Sequence, residues 1–306
     1  VVADGDSTPI DTRYTASLVM DNLAVAPLRE FIEVMPADLD GLIRGQVNLT
    51  GSTTNAEDLT GTVVLDSLKL FGLQNELLST RPIRLAFNAG YIETDSLEMV
   101  IRRIDQPDDE RGRFTAHGRL VYRADEAHNL ESDFNILGKD ITMEAVLALA
   151  NVDLPLSGMM NSRIHIFGPP KDLAVDTRFV LNQVLYNDAV IDSITGRVVY
   201  EYRDIVIHAL QIWAGENTLV AYGSIPFDPE NAADNALPLG DLALTVEGKE
   251  VDLAFLSGVI YELERIEGKA DILMSVGGSP MAPRSIGDIV IRDSRVKIRD
   301  IYPLFE

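Results

Sequence analysis

Asp38-Leu39-Asp40-Gly41-Leu42-Ile43-Arg44-Gly45-Gln46-Val47-Asn48-Leu49-Thr50-Gly51 is the stretch that decides the fold. Val47 and Leu49 alternate with Gln46, Asn48 and Thr50, the period of a strand with one dry and one wet face. Two glycines ten residues apart, Gly41 and Gly51, frame that strand, and the pairing recurs at Gly158 and Gly168 and at Gly268 and Gly278. Both members shift by 117 and then by 110 residues, and Leu39, Leu156 and Ile266 each stand two residues before the first glycine. Gly138 and Gly248 lie 110 apart, and Gly118 and Gly223 lie 105 apart. A fixed period of this kind marks a chain made by stacking one supersecondary unit against its neighbours.

Upstream of each glycine pair is a helix-like stripe. Leu28, Phe31, Ile32 and Met35 fall at i, i+3, i+4 and i+7, as do Met143, Val146, Leu147 and Ala150; Leu253, Leu256 and Ile260 keep the pattern in the third copy. Pro27 suits a first helical turn and Pro36 a stop. Ile164 and Ile166 alternate with Arg163 and His165 in the second copy, and Ala270 and Ile272 with Lys269 and Asp271 in the third. Polar turns follow at Ser52 to Asp58, at Pro169 to Asp172 and around Pro280 and Pro283. Further strands are predicted at Thr62–Leu70, Ile83–Phe87, Leu97–Arg102, Phe114–Tyr122, Val198–Tyr202, Ile205–Leu210, Leu219–Ile225, Leu242–Val246, Ile289–Arg292 and Val296–Ile298.

The expected fold is therefore mainly β: a repetitive, long antiparallel sheet of ~18 to 20 short strands, with short amphipathic helices at each repeat of about 110 residues. The repeats divide the chain at 1–137, 138–247 and 248–306, as one continuous array rather than independent domains. Asp105 to Arg113 and Asp228 to Asp241 read as lengthened connections on one rim. The last copy stops within a repeat, so the chain reads as a segment of a longer one.

Composition narrows the function. With 306 residues and 46% apolar side chains, the chain has ample material for a core. Its formal net charge of -22 argues against nucleic acid and anionic membrane surfaces as partners. It has no cysteine, so disulfides and thiolate metal sites are excluded. No apolar run reaches the ~18 residues of a spanning helix. His117, His128, His165 and His208 are scattered without ligand spacing and read as polar strand positions. The carboxylates of Asp105 to Glu110 match no calcium-loop template, and no nucleophile elbow, phosphate loop or dinucleotide fingerprint occurs. The sequence supplies no catalytic set and no cofactor or metal site, and the expected protein is not an enzyme.

The dry face remains. Val47, Leu49, Ile83, Leu85, Phe87, Ile164, Ile166, Leu242, Leu244, Val246, Ile289, Ile291, Val296 and Ile298 are predicted to share one interior, opposite Gln46, Arg84, Arg163, Thr245, Arg292 and Lys297 in water. Three short helices cannot cover so many strand faces. Such a face must be covered or hold something apolar.

Asp38 to Gly51, followed by Asp58-Leu59-Thr60-Gly61-Thr62-Val63-Val64-Leu65-Asp66-Ser67-Leu68-Lys69-Leu70, resembles the repeat of TamB-like and AsmA-like bacterial envelope proteins, relatives of the bridge-like lipid transfer proteins. The likeness recurs at Leu156 to Leu173 and Ile266 to Ile286, without the Leu-x-Gly after the turn. It implies a curved, trough-like sheet (a β-taco) with a hydrophobic groove for phospholipid acyl chains. It also implies a periplasmic location, an inner-membrane anchor beyond this segment, and lipid transport to the outer membrane or a role in outer-membrane biogenesis beside a barrel protein. A structural β-repeat stalk or adhesin segment with a filled core is the alternative.

Overall fold

The computed structural model describes residues 12–27, 39–52, 58–72, 75–104, 112–123, 130–149, 152, 154–187, 189–227, 240–254, 263–279 and 282–298. They form one antiparallel sheet of sixteen strands whose hydrogen-bonded order follows the chain. The chain divides into two compact units, Val1–Ile136 with Ile166–Leu173, and Leu137–His165 with Ala174–Glu306.

The first unit holds β1 (Arg13–Ala24), β2 (Asp40–Ser52), β3 (Thr60–Gly72), β4 (Asn75–Ser79), β5 (Ile83–Asn88), β6 (Tyr91–Arg103) and β7 (Gly112–Val121). β4 and β5 each pair with both β3 and β6, so two short strands lie end to end in one position of the sheet. In β2 the even positions 42, 44, 46, 48 and 50 are exposed and positions 41, 43, 45, 47, 49 and 51 are buried or half-buried, the predicted alternation. β3 breaks the alternation at Leu65-Asp66-Ser67-Leu68. The register there jumps from Gly45↔Leu65 to Arg44↔Ser67, so Asp66 is the extra residue of a bulge and Leu65 and Leu68 stay on one face.

β8 (Ser132–Thr142) and β9 (Leu156–Gly168) are shared between the units. The second unit continues with β10 (Ala174–Tyr186), β11 (Ala189–Glu201), β12 (Asp204–Ala214), β13 (Asn217–Pro226), β14 (Leu242–Asp252), β15 (Leu263–Gly278) and β16 (Arg284–Ile298). Two-residue turns join β10 to β11, β11 to β12 and β12 to β13, closed by Tyr186↔Ala189, Glu201↔Asp204 and Ala214↔Asn217. Tyr202 and Arg203 have φ of 51° and 64°, the doubly left-handed geometry of a type I′ hairpin turn, which usually falls to Asn and Gly.

Most strands run longer than the sequence suggested, and the described residues form sixteen against the ~18 to 20 expected for the chain. The segments read separately at 289–292 and 296–298 are one strand, β16, because Asp293 takes a left-handed φ of 50° within the ladder instead of ending it. β1, β4, β8 and β10 had no range among the predicted strands.

Among the described residues helix is nearly absent. The second stripe forms α1 (Met143–Leu149), of seven residues; Ala145 and Leu147 are its buried positions, while Met143 and Val146 are half-buried. Ala150 and the whole stripe from Leu28 to Met35 lie outside the described residues, as do Leu256 and Ile260. Leu253 stands in a turn after β14, directly before the helical Ala254, and packs on Ala270 and Ile272. In the second unit Met143, Leu156 and Met160 pack on a buried cluster of Leu181, Val184 and Ile191.

Candidate functional site

Directly opposed residues in an antiparallel pair share a face, so register alone assembles the candidate surface. In the first unit Leu18↔Val47↔Val63↔Leu85 forms one row, and Ala16↔Leu49↔Gly61↔Phe87 the next. A third row is Met20↔Gly45↔Leu65↔Ile83. The face continues through Phe87↔Ile92↔Leu120 and, past a bulge at Thr94 to Leu97, through Leu77↔Ile101↔Gly112 and Met99↔Phe114. Val47, Leu49, Leu85 and Phe87 are half-buried and Ile83 is buried; Leu18 is 52% exposed.

The second unit has a comparable face. Leu244↔Val276, Val246↔Met274 and Gly248↔Ile272 cross from β14 to β15, and Ile272↔Ile289 and Ala270↔Ile291 carry the face to β16. Leu242, Leu244 and Val246 are half-buried, whereas Ile289 and Ile291 are 53% and 49% exposed. Ile164 and Ile166 are half-buried in β9, at the same parity as Leu156 and Met160. Val296 and Ile298 belong to β16, but their side chains lie outside the described residues.

Sequence reading missed Leu18, Met20, Val63, Leu65, Leu77, Met99 and Met274 as members of these faces. In β1 the signal was present, Ala16, Leu18 and Met20 alternating with Thr15, Ser17 and Val19; in β3 the bulge at Asp66 hid it.

The opposite face is not uniformly wet. Gln46, Arg84, Arg163 and Arg292 are exposed and Thr245 is half-buried, while the Lys297 side chain lies outside the described residues. On the same side as Arg84, however, Glu76 and Glu98 are only 6% and 8% exposed; Val100 is buried beside them, and Val121 is buried farther along the same side. Those carboxylates are paired. Lys69 Nζ stands 2.7 Å from Glu76 Oε1, and Arg102 Nε donates to Glu76 Oε2 at 2.6 Å. Arg81 donates to Glu98, and Arg113 Nη1 lies 3.3 Å from its other oxygen.

Lys69 and then Arg102 hold the Glu76 carboxyl below its ordinary range against the opposing effect of burial. Arg81, then the Thr80 hydroxyl, do the same for Glu98. In the second unit Arg197 holds Asp176 down across β10 and β11. Arg292 of β16 and the Glu250 N–H of β14 hold Asp271 of β15 down. Tyr222 donates to Glu247 Oε1 at 2.6 Å, which pushes its phenol up.

His117 and His208 are exposed and His165 half-buried, while His128 and most of the two polar loops lie outside the described residues. Among the described residues, no group of three histidine or acidic side chains is placed to hold a metal ion, and no helix is long and apolar enough to cross a membrane. An open groove lined by Thr218, Val220, Glu247 and Leu273 lies on the polar side of β13 to β15. Chemically, the apolar faces can do one thing: accept other apolar groups. No protein-family model, no curated protein and no solved structure matches this chain.

Proposed function

We propose that this chain is a segment of a bridge-like bacterial envelope protein whose apolar sheet face carries phospholipid acyl chains across the periplasm between the inner and outer membranes, or supports assembly at the outer membrane. The observation that carries the reading is the row structure itself. Rows such as Leu18, Val47, Val63 and Leu85 line one face by register, yet their side chains are half-buried or exposed. Filling such a surface with acyl chain contributes about 0.8 kcal/mol per buried CH₂ and requires no headgroup pocket. In this reading the sheet curves as a trough around its apolar side, the repeat of about 110 residues places short helices along it, and an inner-membrane anchor and an outer-membrane barrel partner lie beyond this segment. No catalytic residue takes part.

A second reading, a structural β-repeat stalk or adhesin segment, is favoured by the packed cluster of Leu181, Val184 and Ile191 under Met143. Native mass spectrometry of the purified chain separates the two. Retained phospholipid, lost in Leu49→Asp and Ile166→Asp variants that still fold, supports the conduit. A parent that never carries lipid, with variants that unfold, overturns it and leaves the structural array.

A further inference from the structure

We propose that the groove on the polar side of β13 to β15 docks a basic, apolar-flanked segment of a partner protein, with a lysine or arginine of that segment seated between Glu216 and Glu247. The opposed row Val220↔Glu247↔Leu273 crosses the groove, and Thr218, Lys249 and Glu216 of the β12–β13 turn stand around it. Its volume of about 480 Å³ is that of a ligand cleft, but it lies open to solvent. It therefore suits a side chain presented by another chain better than a molecule that needs enclosure.

The lining selects a cation with an apolar stem. Leu273 is 52% exposed and Val220 half-buried on the side where alternation calls for polar residues. Glu216 and Glu247 are exposed, and among the described residues no lysine or arginine forms an ion pair with either. Tyr222 donates to Glu247 Oε1 at 2.6 Å, which fixes one oxygen of that carboxylate and leaves the other for a visiting donor. Lys249, the cation of the lining, acts together with Arg292 on Asp271. A bulge sets Lys249 and Glu250 of β14 against Asp271 of β15, and Glu250 takes a left-handed φ of 50°, so β14 bends at the groove and re-aims the side chains around it. A lysine or arginine stem can lie along Val220 and Leu273 while its head meets the two carboxylates. The groove is on the side opposite the proposed acyl-chain face, so it stands or falls apart from that reading.

The probe is the peptide acetyl-Leu-Lys-Leu-Arg-Leu-Lys-amide, titrated into the 306-residue chain. Trp213, the single tryptophan, stands opposite Thr218 beside the groove and reports binding by its emission. A saturable change with a Kd below about 1 mM is expected. Glu216→Gln and Glu247→Gln should each weaken binding about fivefold, and Leu273→Ser about as much. Glu131→Gln, an exposed acid of the first unit, should leave it unchanged. A second probe with serine in place of each leucine should bind about tenfold more weakly. Urea unfolding followed by the same emission checks each fold, and the exposed Glu216→Gln decides the matter if Leu273→Ser does not fold. No binding at about 1 mM peptide overturns the proposal. Equal binding of the serine probe, or equal weakening by Glu131→Gln, also overturns it, since either means diffuse attraction to a chain of net charge -22. So does binding that is lost in Val246→Ser, which places the peptide on the apolar face instead.

Discussion

Gly223→Ala should cost far more than the loss of one hydrogen atom suggests. Gly223 lies inside β13 with φ of 137°, paired with Ile207 on one side and Leu244 on the other. The register of β12 shifts just beyond Ile207, so the glycine answers a bulge in its neighbour. A Cβ at this position would stand 1.9 Å from the Ala243 carbonyl oxygen, about 1.5 Å inside ordinary contact, and 2.8 Å from the Leu244 Cα. Alanine must hold the glycine φ, at about 1–3 kcal/mol of strain. It must also part β13 from β14, weakening two ladder hydrogen bonds at about 1 kcal/mol each. The expected loss is about 3–5 kcal/mol. Gly215→Ala is the control: its φ is 61°, but nothing lies within 4 Å of the added carbon, so only the left-handed cost of about 1–2 kcal/mol applies. The single tryptophan, Trp213, sits opposite Thr218 at the start of β13 and reports urea unfolding of this region by fluorescence. Equal midpoints for the two variants, or a neutral Gly223→Ala, would refute the claim that cross-strand crowding dictates glycine here.

Gly118→Ala should behave like Gly223→Ala, since its Cβ would meet the Asp133 carbonyl at 2.1 Å and Gly118 also faces a bulge, at Thr94; circular dichroism during denaturation checks it. Tyr202→Asn should stabilise the chain by about 0.5–1 kcal/mol, because Asn accepts the left-handed φ of 51° and the tyrosine buries little, as a raised urea midpoint would show. Pairing holds Glu76 and Glu98 below their ordinary pKa, so the folded chain binds fewer protons than the unfolded one near pH 4.5; stability present at neutral pH should fall as pH drops through and below that region, and Glu76→Gln should flatten the dependence of Tm on pH. Glu76→Gln should itself cost about 1–2 kcal/mol at neutral pH, less than a fully buried pair because Lys69 remains half exposed.

The strands were legible where alternation ran unbroken. Gln46 to Thr50 and Leu242 to Val246 read directly as half-buried strands, and the glycine pairs fall inside β2, β9 and β15. What escaped notice has a physical cause in each case. Asp66 interrupts the period of β3 because a bulge absorbs it, and Asp293 looked like an end because a left-handed residue inside a ladder has no sequence signature distinct from a turn. β4 is five residues long, too short for a period to show. The candidate faces were only partly legible, since which strands join a row depends on register, and register depends on bulges and cross-strand charge. The buried acids were not legible for the same reason: Glu76 and Glu98 belong inside only once Lys69, Arg102, Arg81 and Arg113 come from other strands and turns to meet them.

Those ion pairs explain how a sheet can hold its register while one face stays half covered. A slip of one residue would exchange the two faces entirely, and an apolar face packed against a second layer normally forbids it. Here the opposing face carries cross-strand pairs at separate places along the chain. Glu76 ties Lys69 of β3 to Arg102 of β6 across β4, and Glu98 of β6 joins Arg81 of the β4–β5 turn to Arg113 of β7. Arg119 of β7 reaches Glu93 of β6 while lying over the Tyr91 ring. In the second unit Asp176 and Arg197 bridge β10 and β11, and Asp271 and Arg292 bridge β15 and β16. The exposed pairs among them contribute little stability singly. Their effect is on choice: a slipped register would place Glu76 and Glu98 among valines and leucines without partners, at the cost of burying unpaired charge. Register specified from the polar side leaves the apolar side free of the usual duty of packing, and the proposed uptake of acyl chains requires a face of that kind.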